Sequence, residues 1–164
     1  MKIAVFFIFS ALTLLSGQGQ TVAQNADVMK PINTLFEGMK KGDSAMVRSA
    51  FTKNVTMATV SRDKAGKPTI TYESSLDGFL KSVGTPHADA YNEMIWGEKI
   101  LVDGDFAQAW VDYAFYLGKK FNHCGVDAFH LVKEKDGSWR IFHLADTRRK
   151  DGCEVPKHIS DQFK

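Results

Sequence analysis

The feature that most limits how this chain can fold is a regular series of strand-like segments in its second half. Four long segments are rich in aromatic and β-branched residues and are separated by short turn signals. The segments are Ala90–Val102, Phe106–Leu117, Phe121–Lys133 and Ser138–Arg149. The turns between them are Asp103-Gly104, Gly118-Lys119-Lys120 and Asp136-Gly137. Because such short connections join neighbouring antiparallel strands, the pattern predicts a four-stranded meander.

The first half of the chain is mainly helical in pattern. Apolar residues at helical spacing predict a first helix that Asp27 caps and Gly42 ends. Asp43 then caps a short second helix, which stops before Asn54. A third helix is predicted within residues 74–84, where a variant capping box precedes an apolar run and a glycine follows it.

A β-hairpin is predicted between the second and third helices, with strands over Val55–Arg62 and Thr69–Glu73. The order helix, helix, hairpin, helix, meander is typical of an α+β fold. We therefore expect three N-terminal helices to pack on one face of a curved antiparallel sheet. No repeat or linker divides this unit.

Residues 1–23 have the pattern of a signal peptide. Lys2 supplies a positive charge, residues 3–15 are mostly apolar, and Thr21-Val22-Ala23 is a small-residue ending that suits signal peptidase. The apolar run is shorter than the roughly 20 residues of a transmembrane helix; a buried N-terminal helix is the alternative. We expect a periplasmic or secreted protein without a membrane anchor after cleavage, with residues 24–164 forming a single domain.

Charge and motif content exclude several functional classes. The 21 basic and 19 acidic residues are interspersed and give a net charge of +2, so no basic footprint for nucleic acid exists. The sequence contains neither a P-loop nor a GxGxxG motif, and we expect no cofactor. His130 and His143 are expected to face each other, but a metal site would need a third ligand that no recognisable spacing supplies. No metal site is predicted.

The two cysteines, Cys124 and Cys153, are predicted to form a disulfide. Lone pairs of cysteines tend to be oxidised in exported proteins, whereas in the cytosol they are more often inert core thiols. The predicted last hairpin places Cys124 opposite Arg149, only a few residues before Cys153. The spacing is not that of a redox-active C-x-x-C motif, so the bond is expected to be structural.

The order of elements, together with two short motifs, resembles the nuclear-transport-factor-two-like superfamily, in particular its SnoaL-like and lumazine-binding types. The motifs are Lys41-Gly42-Asp43 after the first helix and Asp136-Gly137-Ser138-Trp139-Arg140-Ile141 in the last hairpin. The resemblance covers nearly all of residues 24–164. It implies a cone-shaped, ketosteroid-isomerase-like architecture whose helices and curved sheet enclose a mostly apolar cavity. Members with this fold include enzymes, ligand binders and dimerisation modules, so the fold alone does not assign a function.

Two facing carboxylates are the candidate chemical centre. A tight turn at Asp136-Gly137 places Asp127 opposite Asp146 across the last hairpin. In an apolar cavity their mutual repulsion would raise one pKa and so provide an acid and a base. The alternative is a salt-bridge cluster with Arg148 at the strand ends. His123 is a third catalytic candidate, either as a pocket base or as a strand-end histidine beside the disulfide.

Aromatic residues on the predicted strands are the candidate wall of the cavity, although periodicity does not say which sheet face lines it. The predicted ligand-binding residues are Trp96, Tyr113, Phe115, Asp127, Phe129, Phe142 and Asp146. They suggest a non-catalytic binder of a small apolar or aromatic molecule. The alternatives are an isomerase or hydratase that uses a pocket carboxylate as general base, and a dimeric interaction module with a filled cavity. A homodimer is expected in any case, because helices on one side leave the other sheet face uncovered.

Overall fold

A computed structural model describes residues 21–164, and the predicted signal peptide therefore lies outside the described residues except for its last three positions. The helices are α1 (Val22–Lys41), α2 (Ser44–Ser49), α3 (Asp77–Gly84) and α4 (Lys157–Ser160), followed by a 3₁₀ turn at Asp161–Phe163. The strands are β1 (Phe51–Arg62), β2 (Pro68–Glu73), β3 (Tyr91–Asp103), β4 (Phe106–Leu117), β5 (Lys120–Lys133) and β6 (Trp139–Thr147).

All six strands form one curved sheet in the order β2-β1-β6-β5-β4-β3. The predicted α+β class, the hairpin and the four-stranded meander are confirmed. The sheet is mixed rather than antiparallel throughout, because β1 runs parallel to β6. This pairing joins the hairpin to the end of the meander and places the cavity-facing sides of β1 and β6 next to each other.

The main core lies between α1 and the inner face of the sheet. Val28, Ile32 and Leu35 of α1 are fully or almost fully buried, as their helical spacing predicts. Opposite them lie small and branched side chains of the meander that are equally buried: Ala107, Ala109, Val111, Phe129, Leu131 and Ile141. The small alanines let the helix layer approach the sheet closely.

The helix boundaries differ from the prediction at two caps and one end. The capping box predicted for the third helix does not form, because Leu76 is at the N-cap of α3 and makes no side-chain hydrogen bond there. In the described chain α1 is capped by Thr21, whose hydroxyl accepts from the backbone N–H of Gln24 at 3.1 Å, and Asp27 lies inside the helix. Gly42 ends α1 at φ 68°, and Asp43 caps α2 by accepting from Met46, as predicted. The second helix stops at Ser49, earlier than predicted, because the strand β1 already begins at Phe51, which is buried against β6.

Two β-bulges set the faces of the strands around the cavity. In β3 the register shifts between Trp96 and Lys99, where Gly97 adopts φ 66°. In β6 the register shifts beside Phe142, so that Leu131 pairs with Ile141, whereas uninterrupted pairing from His130 and His143 would place Leu131 opposite Phe142. Each extra residue exchanges the inward and outward positions on one side of the bulge.

The segment after β6 returns across the outer face of the sheet and is fixed there by a disulfide. Cys124 of β5 and Cys153 are bonded, as predicted, with their Cα atoms 6.0 Å apart. Phe163 stacks on Tyr116 at a centroid distance of 3.8 Å, and Ile159 is buried. Ala114, Tyr116 and Cys124 are buried although they lie outside the main core, which shows that this segment covers one end of the outer face. We call residues 148–164 the C-terminal clasp.

In the described part of the chain, no helix is both long enough and apolar enough to cross a membrane.

Candidate ligand-binding cavity

A cavity of about 420 Å³ opens between the helices α1 and α3 and the concave face of the sheet. This volume is in the usual range for small-molecule sites. Its apolar wall is formed by Leu35, Phe36, Met39, Met57, Phe79, Phe115 and Leu144. Its polar residues include Thr59, Glu73, Glu93, Tyr113, His123, Asp127, Asp146 and Arg148. The cavity is therefore apolar on the helix side and rich in hydrogen-bonding groups on the sheet.

A pair of contacting acids, Glu93 of β3 and Asp127 of β5, lies in the polar part of the cavity. Asp127 is only 3% exposed, and burial, together with the charge and hydrogen bond of Glu93, raises the pKa of Asp127 well above its ordinary value. Burial likewise raises the pKa of Glu93 to about 7. At neutral pH, Glu93 is therefore close to its midpoint, and Asp127 holds its proton to higher pH than an ordinary aspartate does.

Asp146, by contrast, has hydrogen-bond donors as its direct neighbours. Its carboxylate accepts hydrogen bonds from the Thr59 hydroxyl at 2.5 Å and from Arg148 Nε at 2.6 Å. Burial alone would lower the pKa of Arg148, but the hydrogen bond and charge of Asp146 raise it. The predicted salt bridge with Arg148 thus exists for Asp146, whereas Asp127 pairs with another acid.

The Tyr113 hydroxyl is fixed by the backbone of the strand end. It donates to the carbonyl oxygen of Thr147 at 2.8 Å and lies 3.5 Å from Asp146 Oδ2. This approach requires glycine at position 125, since a Cβ there would lie 1.7 Å from the Thr147 oxygen and 2.7 Å from the Tyr113 ring. Burial, together with the nearby acids, raises the pKa of Tyr113, so the phenol remains neutral.

His123 lies at the same end of the cavity as Tyr113, and its side chain is neutral. Its ring packs against Phe115 and Tyr113, with centroid distances of 5.1 and 5.5 Å. Burial and the nearby Arg148 charge lower the pKa of His123 to about 4. Its Nδ1 lies 2.7 Å from Asn122 Oδ1, which can only accept, so the proton of the neutral ring is on Nδ1 and Nε2 is an acceptor.

Five of the residues predicted for the site line the cavity together: Tyr113, Phe115, His123, Asp127 and Asp146. Asp127 and Asp146 are direct cross-strand neighbours, as the predicted hairpin register requires. Three other predicted residues lie elsewhere. Phe129 is fully buried below the cavity, where its ring packs edge-on against Phe36. Trp96 and Phe142 are on the outer face of the sheet.

The bulges explain why Trp96 and Phe142 lie on the outer face and not, as predicted, in the cavity. Trp96 pairs with Asp112 on the outer side because the bulge at Gly97 exchanges the faces of the preceding part of β3. The bulge in β6 turns Phe142 toward the outer rings of Phe106 and His130. Without these shifts, simple alternation would have placed both side chains inward.

The same register shift in β3 turns Glu93 toward the cavity, a position that the sequence pattern did not predict. Alternation continued from Val102, which packs on the core, would have pointed Glu93 outward. A glycine inside a strand pattern is a recognised sign of a bulge, so Gly97 was the available signal. Thr59 and Glu73 also line the cavity through the hairpin of β1 and β2.

No cluster of three metal-ligating side chains occurs among residues 21–164. His130 and His143 face each other as predicted, with ring centroids 5.4 Å apart, but they lie on the outer face of the sheet. The Thr56 hydroxyl contacts His143 Nδ1 at 2.8 Å, so this pair belongs to a small polar contact between strands.

Comparisons with known proteins agree with this architecture. The family profile described as "Putative lumazine-binding" matches residues 23–143. An NTF2-like protein of unknown function from Shewanella baltica superposes with a TM-score of 0.59 at 20% identity, covering 81% of this chain and 100% of its own. A similar protein from Methylobacillus flagellatus gives a TM-score of 0.59 at 18% identity, covering 79% and 95%.

A further solved structure with the same fold is a "putative ketosteroid isomerase" from Shewanella frigidimarina. Its TM-score is 0.55 at 18% identity, and the alignment covers 73% of this chain and 94% of that one. No curated protein matches the chain by sequence. At these identities the structural neighbours establish the fold alone.

Proposed function

Because the chain belongs to the "Putative lumazine-binding" family, within the nuclear-transport-factor-two-like superfamily, we propose that it is an exported protein that binds a small apolar or aromatic molecule in the cavity. The observation that carries the proposal is the cavity itself, whose volume of about 420 Å³ suits a ligand of two or three fused rings. The binding is proposed to be non-catalytic.

The apolar wall supplies most of the affinity in this proposal. Burying ligand surface against Phe36, Met57 and Phe115 contributes about 25 cal/mol per Å² before the entropy cost of association. The carboxyls of Asp127 and Asp146 and their neighbour Glu93 then orient the polar end of the ligand. A few polar groups in a largely apolar site are the usual arrangement for specific small-molecule binding.

Lumazine, the compound in the family's name, is the first probe. We expect its intrinsic fluorescence to change saturably on titration with the protein, and Met57→Trp to abolish the change by filling the cavity. Thr56→Trp is the matched control, because Thr56 is the adjacent residue of β1 and is exposed on the other side. Equal binding by the two folded variants would place the site elsewhere, and absence of binding by lumazine and by other fused-ring compounds would refute the proposal.

A second candidate function is proton transfer next to a carbonyl group. It is favoured by the juxtaposition of Glu93, which titrates near neutral pH, with the neutral hydroxyl of Tyr113. The experiment is deuterium exchange at the α-carbon of cyclic ketones, followed by NMR. Exchange that Glu93→Gln abolishes would establish catalysis, and a rate equal to that of buffer would exclude it for those substrates.

Export is supported by the charge and hydropathy pattern of residues 1–23 and by the disulfide, a bond typical of oxidising compartments. Cleavage after Ala23 would remove the Thr21 cap and leave Asp27 in the first turn of α1, where a carboxylate stabilises the helix. Mass spectrometry of the protein from its native host should give Gln24 as the first residue. A mature protein that retains Met1 would refute the export proposal.

A further inference from the structure

The cavity lining carries more carboxyl groups than cationic side chains. Its lining includes four carboxyl groups, those of Glu73, Glu93, Asp127 and Asp146. Among the described lining residues, Arg148 is the one cationic side chain at neutral pH, because His123 is neutral. The electrostatic potential of the site is therefore negative at the end where these carboxyls converge.

Three of the donors next to the acid pair make hydrogen bonds or contacts within the protein. Arg148 Nε donates to Asp146, and the Thr59 hydroxyl donates to the same carboxylate. The Tyr113 hydroxyl gives its proton to the Thr147 carbonyl. His123 presents the unprotonated Nε2, because its Nδ1 proton is directed at Asn122. A ligand placed against Glu93 and Asp127 therefore meets carboxyl oxygens, which accept hydrogen bonds.

One acceptor lacks a partner altogether. Oδ2 of Asp127 is buried and receives no hydrogen bond from any donor in the described part of the chain. The group beside the Asp127 carboxyl is the Glu93 carboxyl, and two carboxyls can bond to each other only while they share a proton. A buried polar atom without a partner is costly, and a donor from a ligand would remove that cost.

From this arrangement we propose that the natural ligand is an aromatic molecule with a cationic, N–H-bearing end, such as an amidinium or a protonated ring amine, which sits against Glu93 and Asp127. This inference rests on the proposed function and specifies the ligand class. A planar amidinium offers two parallel N–H donors, which match a carboxylate in a bidentate geometry. Its aromatic body packs on the apolar wall beside Phe115 and Phe36.

The occupied site has a defined proton balance. The cation pairs with Glu93 as a carboxylate, so binding releases the proton from the fraction of Glu93 that is protonated near pH 7. The other charged or titratable groups around Glu93 are Asp146 and Arg148 of the β6 end, Tyr113 of β4 and His123 of β5. Asp146 and Arg148 neutralise each other, and Tyr113 and His123 are neutral, so the acid pair alone changes charge at neutral pH.

Three nearly isosteric probes test the charge requirement: 2-naphthamidine, 2-naphthamide and 2-naphthoate, measured by titration calorimetry at pH 7.5. We expect the amidinium to bind about tenfold or more tightly than the amide, and the naphthoate to bind most weakly. Glu93→Gln should weaken the amidinium about tenfold while leaving the amide within about twofold. Glu98→Gln, an exposed glutamate of the same strand outside the cavity, is the control and should change neither.

The outcomes separate this inference from the function on which it rests. If the amide or the naphthoate binds as tightly as the amidinium, the cationic end is wrong and small-molecule binding still stands. If the amidinium binds best but Glu93→Gln and Glu98→Gln are equivalent, its placement against the acid pair is wrong. If none of the three binds, the inference falls, and the lumazine titration decides the proposed function independently. The probe series uses the wild-type protein, so it does not depend on the variants folding.

Discussion

At the scale of single residues, Asp127 and Glu93 are acids in a place where stability alone would favour apolar or amide side chains. Asp127 is the one charged or polar side chain among the buried residues of the described chain. Burial of an ionised carboxylate without a partner is costly, so the pair keeps a proton. The pair also contributes less to the free energy of unfolding than two apolar side chains would. Such residues are expected where a ligand supplies the missing partner.

The raised pKa of Glu93 in the folded protein predicts a measurable pH dependence of the free energy of unfolding. A carboxyl whose pKa is higher in the folded state holds its proton longer than in the unfolded chain, so its contribution to stability falls as pH rises. For Glu93 this window extends from its ordinary pKa of 4.5 to about 7. Between pH 5 and 7, Glu93→Gln should gain about 2 kcal/mol of unfolding free energy relative to wild type, because each proton is worth about 1.4 kcal/mol per pH unit.

The comparison must be made as a difference between the variant and wild type, measured by urea unfolding at each pH. His123 acts in the opposite sense. Its pKa of about 4 in the folded protein lies below the ordinary 6.5, so the unfolded chain binds more protons and the free energy of unfolding rises with pH. The difference cancels the contribution of His123. A variant curve parallel to that of wild type from pH 5 to 7 would show that Glu93 is ionised normally in the folded protein.

At the scale of elements, the strand ends and bulges decided what the sequence could and could not predict. The tight turn predicted at Asp136-Gly137 placed Asp127 opposite Asp146, and the structure has this pair. Next to the turn, however, Lys133 pairs with Trp139 and not with Arg140, and the bulge at Phe142 restores the predicted register from His143 onward. Beyond an unrecognised bulge, the same alternation predicted the wrong face for Phe142 and Trp96 and concealed Glu93. Local pattern therefore predicted the order of elements and placed five of the candidate residues in one cavity.

The parallel pairing of β1 with β6 was not predicted from the sequence, for a different reason. It joins residues about 87 positions apart, such as Thr59 and Asp146. Nothing local in either strand encodes this partner, since it depends on how the whole sheet curves around α1. The hydrogen bond from Thr59 to Asp146 follows from that pairing and could not have been derived from the hairpin alone.

The C-terminal clasp is the element whose stability contribution is easiest to test. The Cys124–Cys153 disulfide closes a separation of 29 residues, for which the loop-entropy relation gives about 3 to 4 kcal/mol. We expect Cys153→Ser to lower the free energy of unfolding by about 3 kcal/mol in a urea titration, and reduction of the wild-type protein to have the same effect. A variant as stable as the oxidised wild type would show that the contacts of Phe163 and Ile159 hold the clasp without the bond.

At the scale of the whole molecule, the outer sheet face divides into two parts. The clasp covers the end around Tyr116 and Cys124, where the side chains are buried. At the other end Phe106 and Trp110 are each 42% exposed, and Phe142 packs beside Phe106. Exposed aromatic side chains on one continuous sheet surface are typical of protein interfaces.

We therefore predict a homodimer that buries the face around Phe106 and Trp110. Trp110→Glu should give a monomer in sedimentation equilibrium at micromolar concentration, because an unpaired charge in a buried interface is costly, while the fold is retained. Asn33→Glu, which adds the same charge to an exposed position of α1 on the helix side, should remain dimeric. A wild-type protein that sediments as a monomer under these conditions would refute the prediction.

The contact between Gly125 and the Thr147 carbonyl has a consequence for redesign of the molecule. The position of the Tyr113 hydroxyl depends on a backbone approach and on the absence of a side chain, not on the residues that surround a ligand. Apolar wall positions such as Met57 or Leu144 can therefore be exchanged to accept new ring systems without moving this anchor. Gly125 itself is fixed by geometry, so a library that randomises the cavity should leave Gly125 unchanged.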